Sequence, residues 1–186
     1  RTMAQRLKNT GQSIQTHEKL SALGKISAGL AHEINNPAAA SLRAAQQLPE
    51  KTARQQELLI HLSTVHLNLT QVGLLRDLEY TLVERSIRPL YLNPLVRSDR
   101  EETLITWMQK RQIANAWEIA PQLVNAGVTD ADLAALENNI GRDAIGYALA
   151  WLENALSLEA LIRTINTGMN RIVDLVKAVK EYSYMD

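Results

Sequence analysis

The feature that most constrains the fold is an apolar heptad repeat near the C-terminal end of the chain. Its residues follow a strict 4-3-4-3 spacing over three heptads: Leu158, Ile162, Ile165, Met169, Ile172, Val176 and Val179. This spacing keeps the apolar side chains on one side of an α-helix, as in helices that pack along their whole length. The repeat therefore predicts a helix over about 143–184 that needs a helical partner.

A second heptad pattern lies near the other end of the chain. Its main members are Leu20, Leu23, Leu30 and Ile34, and Leu7 and Ile14 extend a weaker pattern toward the N-terminus. Residues 1–48 are therefore predicted to form one long helix, with a kink where Pro37 removes a backbone donor. Segments 20–48 and 155–183 are each about 43 Å long at 1.5 Å per residue, so we expect them to pair as an antiparallel hairpin.

The intervening residues 49–154 have the pattern of several shorter helices. Pro49 is interpreted as the first-turn residue of a helix, and Pro89 and Pro94 are expected to end the run that follows. Ser98 followed by Glu101 predicts a capping box at the start of the next helix.

Two more short helices are predicted at about 117–125 and 130–139. Gly127 is expected to stop the first of them, and Thr129 is expected to cap the second. The tryptophans of this part of the chain are interpreted as its core: Trp107, Trp117 and Trp151.

The composition agrees with helices and excludes several classes of function. Aromatic residues make up 4% of the chain, and strands usually contain more. Cysteine is absent, which excludes disulfides and thiol chemistry. The formal net charge is zero, so nothing favours nucleic acid or an anionic membrane as a partner. No apolar run is long enough to span a bilayer, and we expect a cytoplasmic location and a piece of a longer protein.

These patterns together predict an all-α fold. One hairpin leaves much of each helix uncovered, so two hairpins from two chains are expected to close a four-helix bundle in a homodimer. The predicted organisation is a linker and first bundle helix at 1–48, an inserted helical subdomain at 49–154, and a second bundle helix at 155–186.

The stretch LGKISAGLAHEINNPAAA, residues 23–40, carries the candidate chemistry. Each helical residue advances by about 100°, so His32 faces away from the core-facing Leu30 and Ile34. Glu33 is adjacent and can reach the imidazole, and Asn36 lies one turn further on the same face. An exposed imidazole beside a carboxylate can act as a nucleophile, and the Asn36 amide could orient a water.

The same residues also have an ordinary interpretation. A single exposed histidine on a helix is usually a surface residue, and Asn35-Asn36-Pro37 could be only a helix-end signal. His61 and His66 are five residues apart, which does not suit a pair of metal ligands on a helix, and both are interpreted as surface or packing residues. Helical geometry alone leaves both interpretations of His32 open.

The run AHEINNP, preceded by LGKISAGL, resembles the H-box of sensor histidine kinases of the HisKA class. His32, Glu33, Asn36 and Pro37 occupy the positions of the H-box pattern. The C-terminal segment INTGMNRIVDLVKAVKEYSYMD is similar to the second helix of the same dimerisation and phosphotransfer domain. The resemblance covers roughly residues 17–48 and 155–186.

The resemblance implies a role in two-component signalling. His32 would be phosphorylated from ATP and would donate the phosphoryl group to an aspartate of a response-regulator receiver domain. Glu33 would be the general base, and Asn36 would act in dephosphorylating the regulator. ATP and Mg would belong to an ATP-binding domain outside this chain, and no cofactor or metal is expected here.

Two departures from the family pattern leave alternatives open. A short loop usually joins the two helices, whereas residues 49–154 intervene here, and the nucleotide-binding boxes of the family are absent. A stand-alone phosphotransfer module would share the exposed histidine without needing an ATP-binding domain. A non-enzymatic helical interaction or scaffold domain is the third hypothesis. Whether phosphorylation would occur within one chain or across a dimer is also open.

Overall fold

Six helices make up the part of the chain that the structure describes. This computed structural model describes the backbone of residues 3–88 and 91–184, and the side chains of 29–88 and 91–181. The helices are α1 (Met3–Thr64), α2 (Leu69–Ile87), α3 (Pro94–Gln109), α4 (Ala116–Asn125), α5 (Asp130–Ile140) and α6 (Arg142–Tyr184). These residues contain no strand, which confirms an all-α fold for them. None of the described helices has the long apolar run that crossing a bilayer requires.

The chain divides into two units. Unit 1 consists of residues 1–44 and 164–186, and unit 2 consists of residues 45–163. Helices α1 and α6 supply residues to both units, whereas α2 to α5 belong to unit 2 alone. The whole of the predicted insert, 49–154, lies within unit 2. The heptad pattern of the N-terminal helix also relies on four residues whose side chains lie outside the described ones: Leu7, Ile14, Leu20 and Leu23. Pro89, which is expected to end a helix, lies outside the described residues too.

In unit 1, α1 and α6 pack in opposite directions. The Ser41 hydroxyl donates to the Ile165 carbonyl oxygen at 3.4 Å. One turn earlier on α1, Pro37 lies against Gly168, which is later on α6. Advancing along α1 thus corresponds to moving back along α6, which is the antiparallel order expected from the two heptad patterns.

The core of unit 2 is apolar and draws on every helix. Its most deeply buried large side chains are Leu82, Leu104, Met108, Leu123, Leu133, Ile145, Leu149 and Leu152. One buried polar side chain accompanies them: Asn154 on α6 donates to the Lys51 carbonyl oxygen at 2.8 Å and to Gln55 Oε1 at 2.7 Å. This amide ties α6 to α1, because both of its N–H groups are satisfied by the facing helix.

Reciprocal side-chain caps satisfy free backbone groups where two of the unit 2 helices begin. Thr129 accepts from the Asp132 amide, and the Asp132 carboxylate accepts from the Thr129 amide, which confirms the predicted cap of α5. Asn68 and Gln71 form the same reciprocal pair at α2. Gly127 follows the end of α4 with φ +77, a conformation that glycine adopts without strain, and the predicted stop is therefore confirmed.

The predicted helix boundary at Pro49 is wrong. Helix α1 continues through Pro49 and ends at Thr64. The proline leaves the Ala45 carbonyl without its usual donor, but both residues are exposed, so water can bond to that oxygen. Burial of Leu58 and Leu62 beyond the proline holds this part of α1 in place, and tertiary packing outweighs the local preference.

The predicted capping box at Ser98 is also wrong. Helix α3 already begins at Pro94, and the Asn93 side chain accepts from the Leu95 amide at 3.0 Å. Ser98 and Glu101 lie inside the helix. Pro94 starts this helix because the amide hydrogen it lacks is one that the first turn cannot use.

Trp117 does not belong to the core of unit 2. Its side chain is 68% exposed, whereas Trp107 and Trp151 are partly buried against the core, as predicted. Trp117 lies about a quarter of a turn from the centre of the buried side of α4, which is built from Ala116, Ile119, Ala120, Leu123 and Val124. The indole at the border of that stripe is left largely in solvent.

An ion pair connects the end of α3 to α5. The Arg111 guanidinium donates to the Glu137 carboxylate through Nε at 2.8 Å, and its Nη2 lies 2.7 Å from the same group. The guanidinium also lies over the Trp107 ring, 3.6 Å from its centroid. The hydrogen bond from Arg111 lowers the pKa of Glu137 below its ordinary value of 4.5.

Replacing Glu137 by Gln is expected to lower the free energy of unfolding by about 1–2 kcal/mol at pH 7, since a hydrogen bond to a charged group is lost. A carboxyl whose pKa is lower in the folded state stabilises the fold above its ordinary pKa, and this contribution disappears as pH falls through the lowered value. Urea unfolding of both proteins between pH 7 and pH 3 measures the difference.

The exposed pair Arg54–Glu57, 3.2 Å apart, supplies the control. Glu57→Gln should change the free energy of unfolding by less than about 0.5 kcal/mol. Equal effects of the two substitutions, or a Glu137→Gln effect that does not decrease at low pH, would contradict a stabilising ion pair between Arg111 and Glu137.

Candidate functional site

His32 lies on a solvent-facing stripe of α1. Residues at helical spacing along this stripe are all exposed: Gly29, His32, Asn36, Ala39 and Arg43. Glu33, next to His32 in sequence, is exposed as well. The predicted solvent-facing position of the imidazole is therefore confirmed, and the three candidate side chains lie within one turn of the same helix, about 6 Å in rise.

The opposite side of α1 is the packed side. Pro37, Ser41 and Ala44 are buried, and they lie about 120–180° round the helix from His32. Leu30 and Ile34 on the same side are half-buried. The packed face and the histidine face are thus separated by about half a turn, so packing on one side leaves the imidazole accessible on the other.

Pro37 affects the site through the backbone. Helix α1 continues through Pro37, and the ring nitrogen of this residue has no hydrogen to donate to the Glu33 carbonyl four residues earlier. That carbonyl oxygen therefore lacks its usual intrahelical donor, next to His32 and on the exposed side. The predicted kink at Pro37 stays a prediction.

Glycine permits a close approach of α6 to α1 directly behind this site. A Cβ atom placed on Gly168 would overlap the Ser41 hydroxyl and would lie 2.9 Å from the Pro37 carbonyl oxygen. No side chain larger than hydrogen fits unless the helices move apart. The contact fixes the separation of α1 and α6 at the turn that follows His32 and Glu33.

The sequence argument did not identify Ser41 and Gly168. Both lie inside a helical pattern in which a serine and a glycine are individually unremarkable. A glycine costs a helix interior about 1 kcal/mol relative to alanine, so its presence within the second heptad helix was the available indication of a packing role.

Among the side chains that the structure describes, His61, His66 and the acidic residues do not form a second centre. The His61 ring stacks on Tyr147, with centroids 5.0 Å apart and planes 9° from parallel, which confirms its interpretation as a packing residue. Within the described residues, no group of three or more histidine and acidic side chains is placed to hold a metal ion. The chemistry available around His32 is that of imidazole, carboxylate and amide.

No family model, curated protein or solved structure matches this chain. The interpretation of the site therefore rests on its residues and geometry.

Replacing Gly168 by Ala is expected to lower the free energy of unfolding by about 1–3 kcal/mol, because the added methyl group overpacks the α1–α6 contact. Thermal or urea unfolding measures the change. Part of the loss should be recovered in the Ser41→Ala background, where the hydroxyl that the methyl group overlaps is gone and the Pro37 carbonyl remains.

Gly29→Ala is the matched control on α1. A Cβ atom at Gly29 meets nothing within 4 Å, so this substitution should raise the free energy of unfolding by about 0.5–1 kcal/mol through helix propensity alone. If Gly168→Ala stabilised the protein as much as Gly29→Ala, the close approach of the two helices would be refuted.

Proposed function

We propose that this chain is the dimerisation and phosphoacceptor region of a sensor histidine kinase, in which His32 receives a phosphoryl group from ATP and donates it to an aspartate of a response regulator. The observation that carries the proposal is the exposed His32 within AHEINNP, on a helix whose opposite side is packed against α6. A phosphoacceptor needs an exposed ring, because an ATP-binding domain and later a receiver domain must both reach it. Packing on the opposite side of α1 holds the helix that carries the ring in place.

The residues around His32 suit the chemistry of this transfer. One imidazole nitrogen attacks the γ-phosphorus of ATP, a P–N bond forms, and the bond to the departing ADP oxygen breaks. The proton on the other nitrogen passes to the Glu33 carboxylate, which is adjacent and exposed. In the second transfer a carboxylate oxygen of the regulator forms a bond to the phosphorus and the P–N bond breaks. The Glu33 carboxyl returns the proton to the other ring nitrogen, so that the imidazole leaves as a neutral ring.

Asn36 is proposed to act in the dephosphorylation of the response regulator. Its amide lies one turn from His32 on the same exposed stripe, where it can hold a water against a phosphorylated aspartate of a docked regulator. ATP and Mg would be bound by an ATP-binding domain that this chain does not contain.

Exposed apolar side chains on α6 support a homodimer. Met169 is 51% exposed and Val176 is 53% exposed, and Val173 and Val179 are exposed too. Met169, Val176 and Val179 belong to the C-terminal heptad repeat, while Ile165 and Ile172 of the same repeat are half-buried. A contiguous apolar stripe that one chain leaves uncovered is what a second hairpin would bury in a four-helix bundle.

The phosphoacceptor assignment predicts that His32→Gln abolishes labelling when the ATP-binding domain of a histidine kinase and γ-labelled ATP are supplied to this chain. Glu33→Gln should slow labelling by about 100-fold or more through loss of the general base. The measurement is the rate of acid-labile label incorporation, since a phosphoryl group on nitrogen is lost in acid.

His66→Gln is the control, because His66 is exposed and lies in the turn that follows α1. It should be labelled like the wild type. Asn36→Ala should also accept label, while a phosphorylated regulator loses its phosphoryl group more slowly with this variant than with the wild type. Label that persists in His32→Gln would overturn the proposed function.

The homodimer predicts a solution mass of twice the 20.8 kDa of the chain. Met169→Glu with Val176→Glu should produce monomers, because two charges would be buried in the apolar contact. Thr167→Glu with Asn170→Glu adds the same two charges at exposed neighbouring positions and should leave the dimer intact. A wild-type monomer in light-scattering measurements would rule out the four-helix bundle.

A further inference from the structure

Unit 2 contains an apolar groove that the proposed phosphotransfer does not use. The groove has a volume of about 550 Å³ and lies between α1 and α2, and its aliphatic lining consists of Leu59, Leu62, Leu67, Val72 and Leu75. Trp151 of α6 also lines it. This volume is within the range of pockets that bind small organic molecules, which are generally apolar with a few placed polar groups.

Three polar residues also line the groove: Ser63 and Arg76 are exposed, whereas Glu79 is half-buried. Its carboxyl is half-buried among the aliphatic side chains, and burial raises its pKa. Arg76, three residues earlier on α2, opposes this rise, but Arg76 is exposed and the two side chains form no ion pair within 4 Å. Glu79 is thus a partly desolvated acid without an ion-pair partner within 4 Å, in a groove whose lining is mostly apolar.

A larger cavity elsewhere in unit 2 is a weaker candidate, because it is lined by many charges of both signs and several of them already pair within the protein. It has a volume of about 720 Å³ and contains both Lys51 and Glu153, 3.6 Å apart. Arg111, also in its lining, is bound to Glu137 at 2.7 Å. A ligand there would have to compete with these pairs, whereas in the mostly apolar α1–α2 groove the two charged residues, Arg76 and Glu79, form no ion pair within 4 Å.

We propose that the α1–α2 groove binds a small organic amine, with the apolar body of the molecule against the leucines and Trp151 and its ammonium group on the Glu79 carboxylate. Charge complementarity selects a cation, since the acid is the more buried of the two charged groups and Arg76 can extend into solvent. An anionic ligand would have to pair with the exposed Arg76 while placing its charge near Glu79. The site is independent of His32 and gives unit 2 a ligand-binding role.

The proposal can be tested with three probes that share one apolar body: naphthylmethylammonium, naphthylmethanol and naphthylacetate. Isothermal titration calorimetry on the full chain at pH 7 should show one site per chain, with the amine binding at least about tenfold more tightly than the alcohol, and the acid most weakly. Amide shifts in NMR spectra should place the bound amine at residues 59–79.

Variants separate the two parts of the site. Glu79→Gln keeps the shape of the side chain and should reduce amine affinity to that of the alcohol, while alcohol affinity stays unchanged. Glu84→Gln is the matched control, because Glu84 is an exposed acid on the same helix and is not part of the groove. Leu59→Ala removes an apolar wall residue that is 60% exposed, so it should weaken amine and alcohol equally without unfolding the chain.

Three results would overturn the proposal. The first is an affinity for naphthylacetate equal to or higher than that for the amine, and the second is unchanged amine affinity in Glu79→Gln. The third is absence of binding of all three probes at millimolar concentration. A fourth result comes from light scattering. If Leu59→Ala were a monomer while the wild type is a dimer, the groove would be assigned to a second copy of this chain and not to an amine. Circular dichroism of each variant confirms that folding is retained.

Discussion

The contact between α1 and α6 at Gly168 is the constraint on which the arrangement of unit 1 depends. Because only hydrogen fits between Gly168, the Pro37 carbonyl and the Ser41 hydroxyl, the separation and register of the two helices are set at this turn. The register in turn decides which side of α1 is buried. His32 is accessible because it lies about half a turn from that contact, so the packing of the hairpin and the exposure of the imidazole are two results of one geometry.

Much of the fold could be predicted from periodicity. The C-terminal helix, the antiparallel order of α1 and α6, and the cap at Thr129 follow from local patterns that packing reinforces. The errors occurred where local and tertiary preferences disagree. Pro49 is a good first-turn residue in isolation, but burial of Leu58 beyond it keeps α1 helical. The aromatic character of Trp117 suggested burial, yet its position on α4 leaves the ring exposed.

The part of the candidate site that depends on helical periodicity could be predicted from the sequence. Exposure of His32, Glu33 and Asn36 depends only on 3.6-residue periodicity and on which side of α1 is apolar. The Ser41–Gly168 contact joins residues far apart in sequence, and the α1–α2 groove depends on how three helices meet around Glu79. No local pattern encodes such distances, so both required the folded structure.

Pro49 has a mechanical consequence for the longest helix of the protein. An α-helix resists bending because each turn is held by several parallel hydrogen bonds, and the turn from Ala45 to Pro49 has one fewer. The turn from Glu33 to Pro37 lacks a bond for the same reason, so α1 has two turns at which bending disrupts fewer hydrogen bonds than elsewhere along Met3–Thr64. Prolines that do not end the helix thus mark the turns at which its 62 residues are held by fewer hydrogen bonds.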